Sequence, residues 1–177
     1  MILHMSLPVF TALHVIISLV AIASGIVVAD ELVHNRLSAA WNALFLVTTT
    51  LTSAGGFLFP FHGITPGIKL GVISLVVLAV AIVAYFGGHL ARGWRRTYAI
   101  CAIAVLYMNV FVLVVQSFMK IPLLKSFAPT QSEPPFLVTQ LIVFALFVVL
   151  AVVATKRFHN PSARGSHPES TIGKALT

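Results

Sequence analysis

Long stretches without a charged residue constrain this chain more than any other feature of its sequence. No Asp, Glu, Lys or Arg occurs over residues 1–29, 37–68 or 97–119. Each stretch is longer than the roughly 18–20 apolar residues that an α-helix needs to cross a hydrocarbon core of about 30 Å. Such stretches cannot cover a water-exposed surface, so they predict helices that face lipid.

The overall composition indicates the same class of protein. Of the 177 residues, 59% are hydrophobic and 8% are charged, whereas a typical soluble domain has about 25% charged residues. The formal net charge of +7 is compatible with a nucleic-acid partner. However, the Lys and Arg residues stand at the ends of apolar segments, where they set topology and contact lipid headgroups. We therefore predict lipids as partners and no nucleic acid.

The apolar segments predict an all-α integral membrane protein with five transmembrane helices in one bundle over residues 1–158. The helices are expected at about 7–29, 38–60, 66–88, 97–119 and 135–155. The first segment lacks the basic leader of a cleaved signal peptide and is expected to remain in the mature protein. Residues 159–177 are polar and contain proline, which is typical of a disordered tail.

The distribution of Lys and Arg predicts how these helices are oriented. With five spans, Lys69, Lys120 and Lys125 lie on one side of the membrane. The other side carries Arg36, Arg92, Arg95, Arg96, Lys156, Arg157, Arg164 and Lys174. Because the side richer in basic residues is normally cytoplasmic, we expect an external N-terminus and a cytoplasmic C-terminus. In a bacterial inner membrane the external side is the periplasm.

Polar residues of the predicted spans concentrate near the external side. His14 lies roughly 10 Å below the external end of the first helix, at 1.5 Å per residue. Asn109, Gln116 and Lys120 form a stripe on the fourth helix, and Gln140 lies near the external end of the fifth. Because polar groups in a membrane usually face the bundle interior or a wet cavity, this layer predicts a pocket. The residues expected to line or cover it are His14, His62, Gln116, Lys120, Gln131, Glu133 and Gln140.

Each of these residues also has a structural interpretation. Asn and Gln often join transmembrane helices by hydrogen bonds, Lys120 can extend to lipid headgroups, and Glu133 can stabilise the first turn of a helix. His14 can be a neutral imidazole bonded to a neighbour. The loop 120–134 combines prolines with apolar and polar side chains. This combination predicts an ordered lid over the pocket that brings Glu133 toward His14.

The sequence favours binding over catalysis. It contains no closely spaced His, Cys or carboxylate pair within a predicted span and no phosphate-binding Gly loop. The single cysteine, Cys101, excludes an internal disulfide. We therefore predict no catalytic residue and no required cofactor. The leading hypothesis is a binding or accessory protein whose pocket binds a small polar or anionic molecule or a quinone headgroup. A second copy of this chain or another membrane protein is a further class of partner.

Two other functions stay open. The histidines permit a b-type haem with His14 and His62 as axial ligands, and His34 and His89 lie toward the opposite side. A haem or a quinone there would make the chain an electron-transfer protein. Alternatively, His14 carries protons in a small proton-coupled carrier, although the chain lacks the internal repeat common among transporters.

A resemblance to known proteins rests on two stretches. These are "LYMNVFVLVVQSFMKIPLLKSFAPTQSEPPF", residues 106–136, and "LTSAGGFLFPFHGITP", residues 51–66. They resemble a group of small multi-pass inner-membrane proteins of bacteria, over the five predicted helices but not the tail. The resemblance implies a bacterial multi-pass protein. That group has no assigned activity, so the resemblance implies no catalytic residue.

Overall fold

The computed structural model describes residues 6–59 and 66–158. Over these ranges the chain is helical without any strand, which confirms the prediction of an all-α protein. The helices are α1 Leu7–Val33, α2 Ala39–Gly55, α3 Pro66–Ile82, α4 Trp94–Lys120, α5 Pro122–Phe127 and α6 Pro134–Arg157. His62 and the predicted tail, 159–177, lie outside the described residues.

Among the described residues, four helical segments are long and apolar enough to cross a membrane. They are Leu7–Val33, Gly67–Gly87, Trp94–Lys120 and Pro134–Arg157. Large apolar side chains point outward along these segments, and on α6 Leu141, Leu146 and Val149 are mostly exposed. A helix at a water-exposed surface carries charged and polar residues on that face. The outer surface of this bundle therefore indicates a membrane protein.

The second predicted span is not among these four segments. α2 has 17 residues, and a 3₁₀ turn, Gly56–Leu58, extends it. The sequence predicted a continuous helix to residue 60. Glycine has a low helix propensity, and at the two consecutive glycines that end α2 the backbone changes from the α-helical to the tighter 3₁₀ conformation. At about 1.5 Å per α-helical residue and 2 Å per 3₁₀ residue, α2 and its turn together span roughly 31 Å.

The third span also ends differently from the prediction. After α3 the chain forms a π-helical turn, Val83–Gly87, in which the N–H of Gly88 donates to the carbonyl of Val83 at 2.8 Å. Three non-glycine residues of the following loop adopt left-handed backbone conformations: His89, Leu90 and Arg92. A Cβ at Gly88 would overlap the ring of Trp94, so only glycine fits where the chain turns into α4.

α1, α2, α3 and α4 form a ring in which each helix packs on the next and α4 packs back on α1. α6 lies outside this ring and packs on α4 and α1. α5 belongs to the short connection between α4 and α6. The sequence predicted one bundle of five long helices, and the structure adds that α6 takes no part in the ring.

The two ends of the bundle differ in charge. We call the end that contains Lys69, Lys120 and Lys125 the lysine end; α1 and α3 begin there. We call the opposite end the arginine end; it contains Arg36, Arg92, Arg95, Arg96, Lys156 and Arg157. The helices alternate in direction around the ring, since the N-terminal halves of α1 and α3 and the C-terminal ends of α2 and α4 lie at the same end.

The half of the bundle near the arginine end is tightly packed. A Cβ at Gly25 of α1 would lie 2.6 Å from Cδ1 of Leu106 in α4 and 2.8 Å from Cε2 of Phe45 in α2. The absent side chain lets three helices approach closely, as small residues do between transmembrane helices. Closer to the arginine end, the hydroxyl of Tyr98 donates to Oδ1 of Asn42, and both side chains are buried. This core closes the inside of the ring toward the arginine end.

Candidate binding cavity

A cavity of about 800 Å³ lies inside the ring at the lysine end. Its wall consists of the N-terminal halves of α1 and α3, the C-terminal ends of α2 and α4, and the 3₁₀ turn after α2. Most of the lining surface is apolar, although ten of the 25 lining residues have polar side chains. Binding sites for small molecules commonly have this composition and a volume of about 300–1,000 Å³.

The cavity brings together three of the residues predicted to form a site. His14 projects from α1, and Gln116 and Lys120 project from α4. Asn109, which belongs to the same predicted stripe of α4, also lines it, together with four hydroxyl-bearing residues of α1 and α2: Thr11, Ser18, Thr52 and Ser53. Ser74 of α3 lines the cavity too. Sequence reasoning missed Ser74 because its neighbours are apolar on both sides and no polar residue lies one helical turn away.

The other predicted residues lie elsewhere. Gln131 and Glu133 belong to the connection between α4 and α6, and Gln140 belongs to α6 outside the ring; none of the three is among the lining residues. His62 lies outside the described residues. The structure thus divides the predicted set into a cavity group on α1 and α4 and a second group that makes structural contacts.

Packing, rather than a hydrogen bond, positions the imidazole of His14. The side chain is partly buried, and its ring lies 5.2 Å from the ring of Phe59, centroid to centroid, in an edge-to-face arrangement. A Cβ at Gly55 would lie 3.3 Å from Nδ1 of His14, so this glycine makes room for the ring. In the part of the chain that the structure describes, the ring nitrogens form no hydrogen bond. Both therefore remain available to a ligand.

Several hydroxyl groups of the cavity wall are engaged within the protein. Ser18 Oγ donates to the carbonyl of His14 at 2.7 Å and lies 3.4 Å from Oγ1 of Thr52. The hydroxyl oxygens of Ser53 and Ser74 are 3.0 Å apart and join α2 to α3. These bonds correspond to the structural role that Ser and Thr often have between transmembrane helices.

The polar groups on the opposite wall belong to α4 and include three hydrogen-bond donors, two amide NH₂ groups and one ammonium group. Asn109, Gln116 and Lys120 line the cavity and share one helical face. The amide nitrogen of Asn109 is buried and has no hydrogen-bond partner among the described residues. Such unsatisfied groups are rare in folded proteins. No carboxylate of the described residues lines the cavity, so its polar groups suit a ligand with hydrogen-bond acceptors or negative charge.

Gln140 and Glu133 have partners in the protein. The Nε2 of Gln140 donates to the carbonyl of Phe111 at 3.3 Å, which ties α6 to α4. The carboxylate of Glu133 accepts bonds from the N–H and hydroxyl of Thr130 at 3.0 and 2.8 Å and from the N–H of Ser132 at 3.1 Å. Desolvation opposes ionisation of Glu133, but these hydrogen bonds outweigh it, and the pKa of the carboxyl lies below its ordinary value.

The connection between α4 and α6 folds onto the helix ends that it joins. Ala128 is buried against Phe118 and Phe136, whose ring centroids are 5.4 Å apart. The sequence predicted an ordered lid that brings Glu133 to the pocket. The loop instead uses the Glu133 carboxylate for its own turn, and Ile121 at its start lines the cavity. The Glu133 carboxylate is thus engaged in the turn that precedes α6, and in the described part of the chain it makes no capping hydrogen bond to that helix.

No protein-family model matches the chain, and comparisons with curated proteins and with solved structures gave no match. The described residues contain no group of three or more His, Cys, Asp and Glu side chains that could hold a metal ion. The function therefore has to follow from the geometry of the cavity: a donor-rich wall on α4, an imidazole on α1, and apolar side chains around them.

Proposed function

We propose that this protein is a multi-pass protein of a bacterial inner membrane that binds a small acceptor-bearing molecule in the cavity between α1 and α4. The observation that carries the proposal is the convergence of His14, Asn109, Gln116 and Lys120 on one cavity of about 800 Å³. Their polar groups point to a ligand because the neighbouring hydroxyls are engaged within the protein, whereas these four side chains form no hydrogen bond with the described residues. Donors surrounded by apolar walls favour a binding or accessory role over catalysis.

The proposal includes five membrane crossings, with α2 as the second. α2 and its 3₁₀ turn reach roughly the 30 Å of a hydrocarbon core. α2 also packs between α1 and α3, both of which are long and apolar enough to cross. With five crossings the arginine end carries most Lys and Arg residues, and such an end is normally cytoplasmic. The cavity then opens toward the periplasm.

Reporter fusions test this topology. We expect a fusion after Arg36 to report a cytoplasmic position, a fusion after Phe59 to report a periplasmic one, and a fusion after Thr177 to report a cytoplasmic one. Alkaline phosphatase, which is active outside, and green fluorescent protein, which is fluorescent inside, provide complementary readouts. The same side for the Arg36 and Phe59 fusions would show that α2 does not cross, and a periplasmic C-terminus would refute the five-span arrangement.

Substitutions in the cavity test the binding function. We expect protein purified in mild detergent to retain a small molecule, detectable by native mass spectrometry. Asn109→Leu and Lys120→Gln should each weaken its binding about 10- to 100-fold, because a hydrogen bond to a charged group contributes about 1.5–3 kcal/mol. Lys125→Gln is the matched control, since Lys125 is an exposed lysine of α5 outside the cavity.

Equal retention of the molecule by all three variants would contradict a role for the cavity. The visible spectrum of the same preparation addresses the haem alternative, because a Soret band that disappears in His14→Leu would assign His14 to a haem. In that case the cavity would bind a redox group, and the chain would be an electron-transfer protein.

A further inference from the structure

The wall of the cavity between α2 and α3 is closed at two levels. Ser53 and Ser74 are buried, and their hydroxyl groups are hydrogen-bonded across the helix interface. Closer to the lysine end, Phe57 packs over Gly71, where a Cβ would lie 3.1 Å from Cζ of the ring. These two contacts obstruct a path to the cavity between α2 and α3.

The wall between α1 and α4 is apolar and much more exposed. The cavity-lining residues Val15 and Leu19 of α1 are 48% and 47% exposed, and Val112 and Leu113 of α4 are 39% and 38% exposed. Four exposed apolar side chains of two neighbouring helices thus border the cavity together, whereas at the described wall between α2 and α3 the one comparably exposed apolar side chain is that of Phe57. This grouping indicates an opening between α1 and α4. Farther along, the two helices are in tight contact at Gly25. We call the gap between these four residues the side opening.

α6 covers the groove between α1 and α4 in the half near the arginine end. There Ala154 and Phe158 of α6 belong to the main core together with residues of α1 and α4. Near the lysine end the contacts of α6 are with α4, through Phe136 on Phe118 and Gln140 on the Phe111 carbonyl. The side opening therefore lies at the level where α1 and α4 diverge, on the apolar outer surface of the bundle.

We propose that the cavity binds the anionic headgroup of a membrane amphiphile, whose hydrocarbon chain leaves through the side opening into the bilayer. This inference rests on the proposed function and names the class of ligand. Along α4 the opening lies between Asn109 and Gln116, so a headgroup entering there meets polar donors on both sides. The Val and Leu side chains at the opening suit a hydrocarbon chain, since a polar chain would lose its hydration there without replacement.

The charge of the headgroup follows from the donors. Lys120 supplies a positive charge, Gln116 lies one turn deeper and Asn109 deeper still, and the described lining contains no carboxylate. A carboxylate or phosphate oxygen is the acceptor that would satisfy the buried amide of Asn109 after a small rotation of that side chain. The amide of Asn109 therefore favours a ligand that places a hydrogen-bond acceptor deep in the cavity. Lys120 favours a ligand with a negative charge near the mouth of the cavity.

Photolabelling in vesicles tests this assignment. The protein is reconstituted in phosphatidylcholine vesicles with traces of one of three probes that carry a diazirine in the chain: a palmitate analogue, a lysophosphatidate analogue or a hexadecanol analogue. We expect an acidic probe to label peptides of α1 and α4 at the side opening at least tenfold more than the neutral alcohol does. The palmitate and lysophosphatidate arms distinguish a carboxylate from a phosphate headgroup.

Two matched pairs of variants localise the labelling. Lys120→Gln should lower labelling by the acidic probe about tenfold, and Lys125→Gln should leave it unchanged. Leu19→Trp, which fills the side opening, should lower labelling severalfold, whereas Ile16→Trp, on the exposed surface of α1 outside the cavity lining, should not. Melting temperatures in detergent that stay within a few degrees of wild type show that each variant is folded.

The amphiphile assignment is overturned if the alcohol labels the opening as strongly as the acids, or if Lys120→Gln changes nothing. It is also overturned if native mass spectrometry finds a bound water-soluble acid that has no hydrocarbon chain and that the Lys120→Gln protein no longer retains. In that case the proposed function stands and only the amphiphile assignment fails. If the wild-type protein retains no molecule and no probe labels the opening, the proposed function and this inference both fail.

Discussion

Replacing Gly25 by alanine should lower the free energy of unfolding by about 1–3 kcal/mol, the usual cost of overpacking a filled core. The added Cβ would lie 2.6 Å from Cδ1 of Leu106 and 2.8 Å from Cε2 of Phe45, so α1 has to move away from both α4 and α2. Gly25→Val should be more severe and should leave little folded protein. Thermal melting in mild detergent, with the folded yield from membranes, measures both effects.

Gly56→Ala is the matched control for this prediction. No heavy atom lies within 4 Å of a Cβ built at Gly56, and its backbone is already in the right-handed helical region. Alanine there should be neutral or stabilising by up to about 1 kcal/mol, because it reduces the conformational freedom of the unfolded chain. Similar melting temperatures for the Gly25→Ala and Gly56→Ala proteins would show that the contact of three helices at Gly25 is not tight.

Removing the hydroxyl group of Tyr98 is the second change with a large expected effect. Tyr98→Phe leaves Oδ1 of Asn42 buried without its donor, and a buried unsatisfied group costs about 1–3 kcal/mol. Interhelical hydrogen bonds in membrane proteins contribute about 0.6 kcal/mol on average and up to about 1.7, so we expect a loss of about 1–2 kcal/mol. Unfolding in mixed micelles measures it.

A double-mutant cycle separates the hydrogen bond from other effects. The protein with both Asn42→Leu and Tyr98→Phe should lose less stability than the sum of the single losses, because neither group is then left unpaired. Tyr107→Phe is the control: the Tyr107 ring packs on Phe144 at 5.6 Å, and in the described part of the chain its hydroxyl has no hydrogen-bond partner. Strict additivity at Asn42 and Tyr98 would show that their bond does not stabilise the fold.

These two predictions concern the closed half of the bundle, whereas the proposed site occupies the other half. The contact at Gly25 and the bond between Tyr98 and Asn42 hold α1, α2 and α4 together toward the arginine end. The same helices separate toward the lysine end and leave the cavity. Rigid packing on one side of a site helps to position its polar groups, so we expect Gly25→Ala to weaken ligand binding as well as stability.

Much of the fold followed from the sequence because its signals are local. The length of the charge-free stretches predicted apolar helices. The spacing of Asn109, Gln116 and Lys120 placed three donors on one helical face, and the depth of His14 placed it at the same level. The structure brings all four residues to one cavity, since residues at the same depth on neighbouring helices of a ring can meet.

Tertiary structure decided which helices enclose the site. α6 is apolar on nearly all its faces, so its sequence does not indicate a buried face, and only packing shows that it lies outside the ring with Gln140 on the Phe111 carbonyl. Glu133 bonds to its own loop because Thr130 and Ser132 present donors at short range, a choice that depends on the conformation of the turn. Side-chain fit between helices likewise decides the close approach at Gly25 and the separation of α1 and α4 toward the lysine end. The pattern of apolar residues along a single helix does not predict either feature.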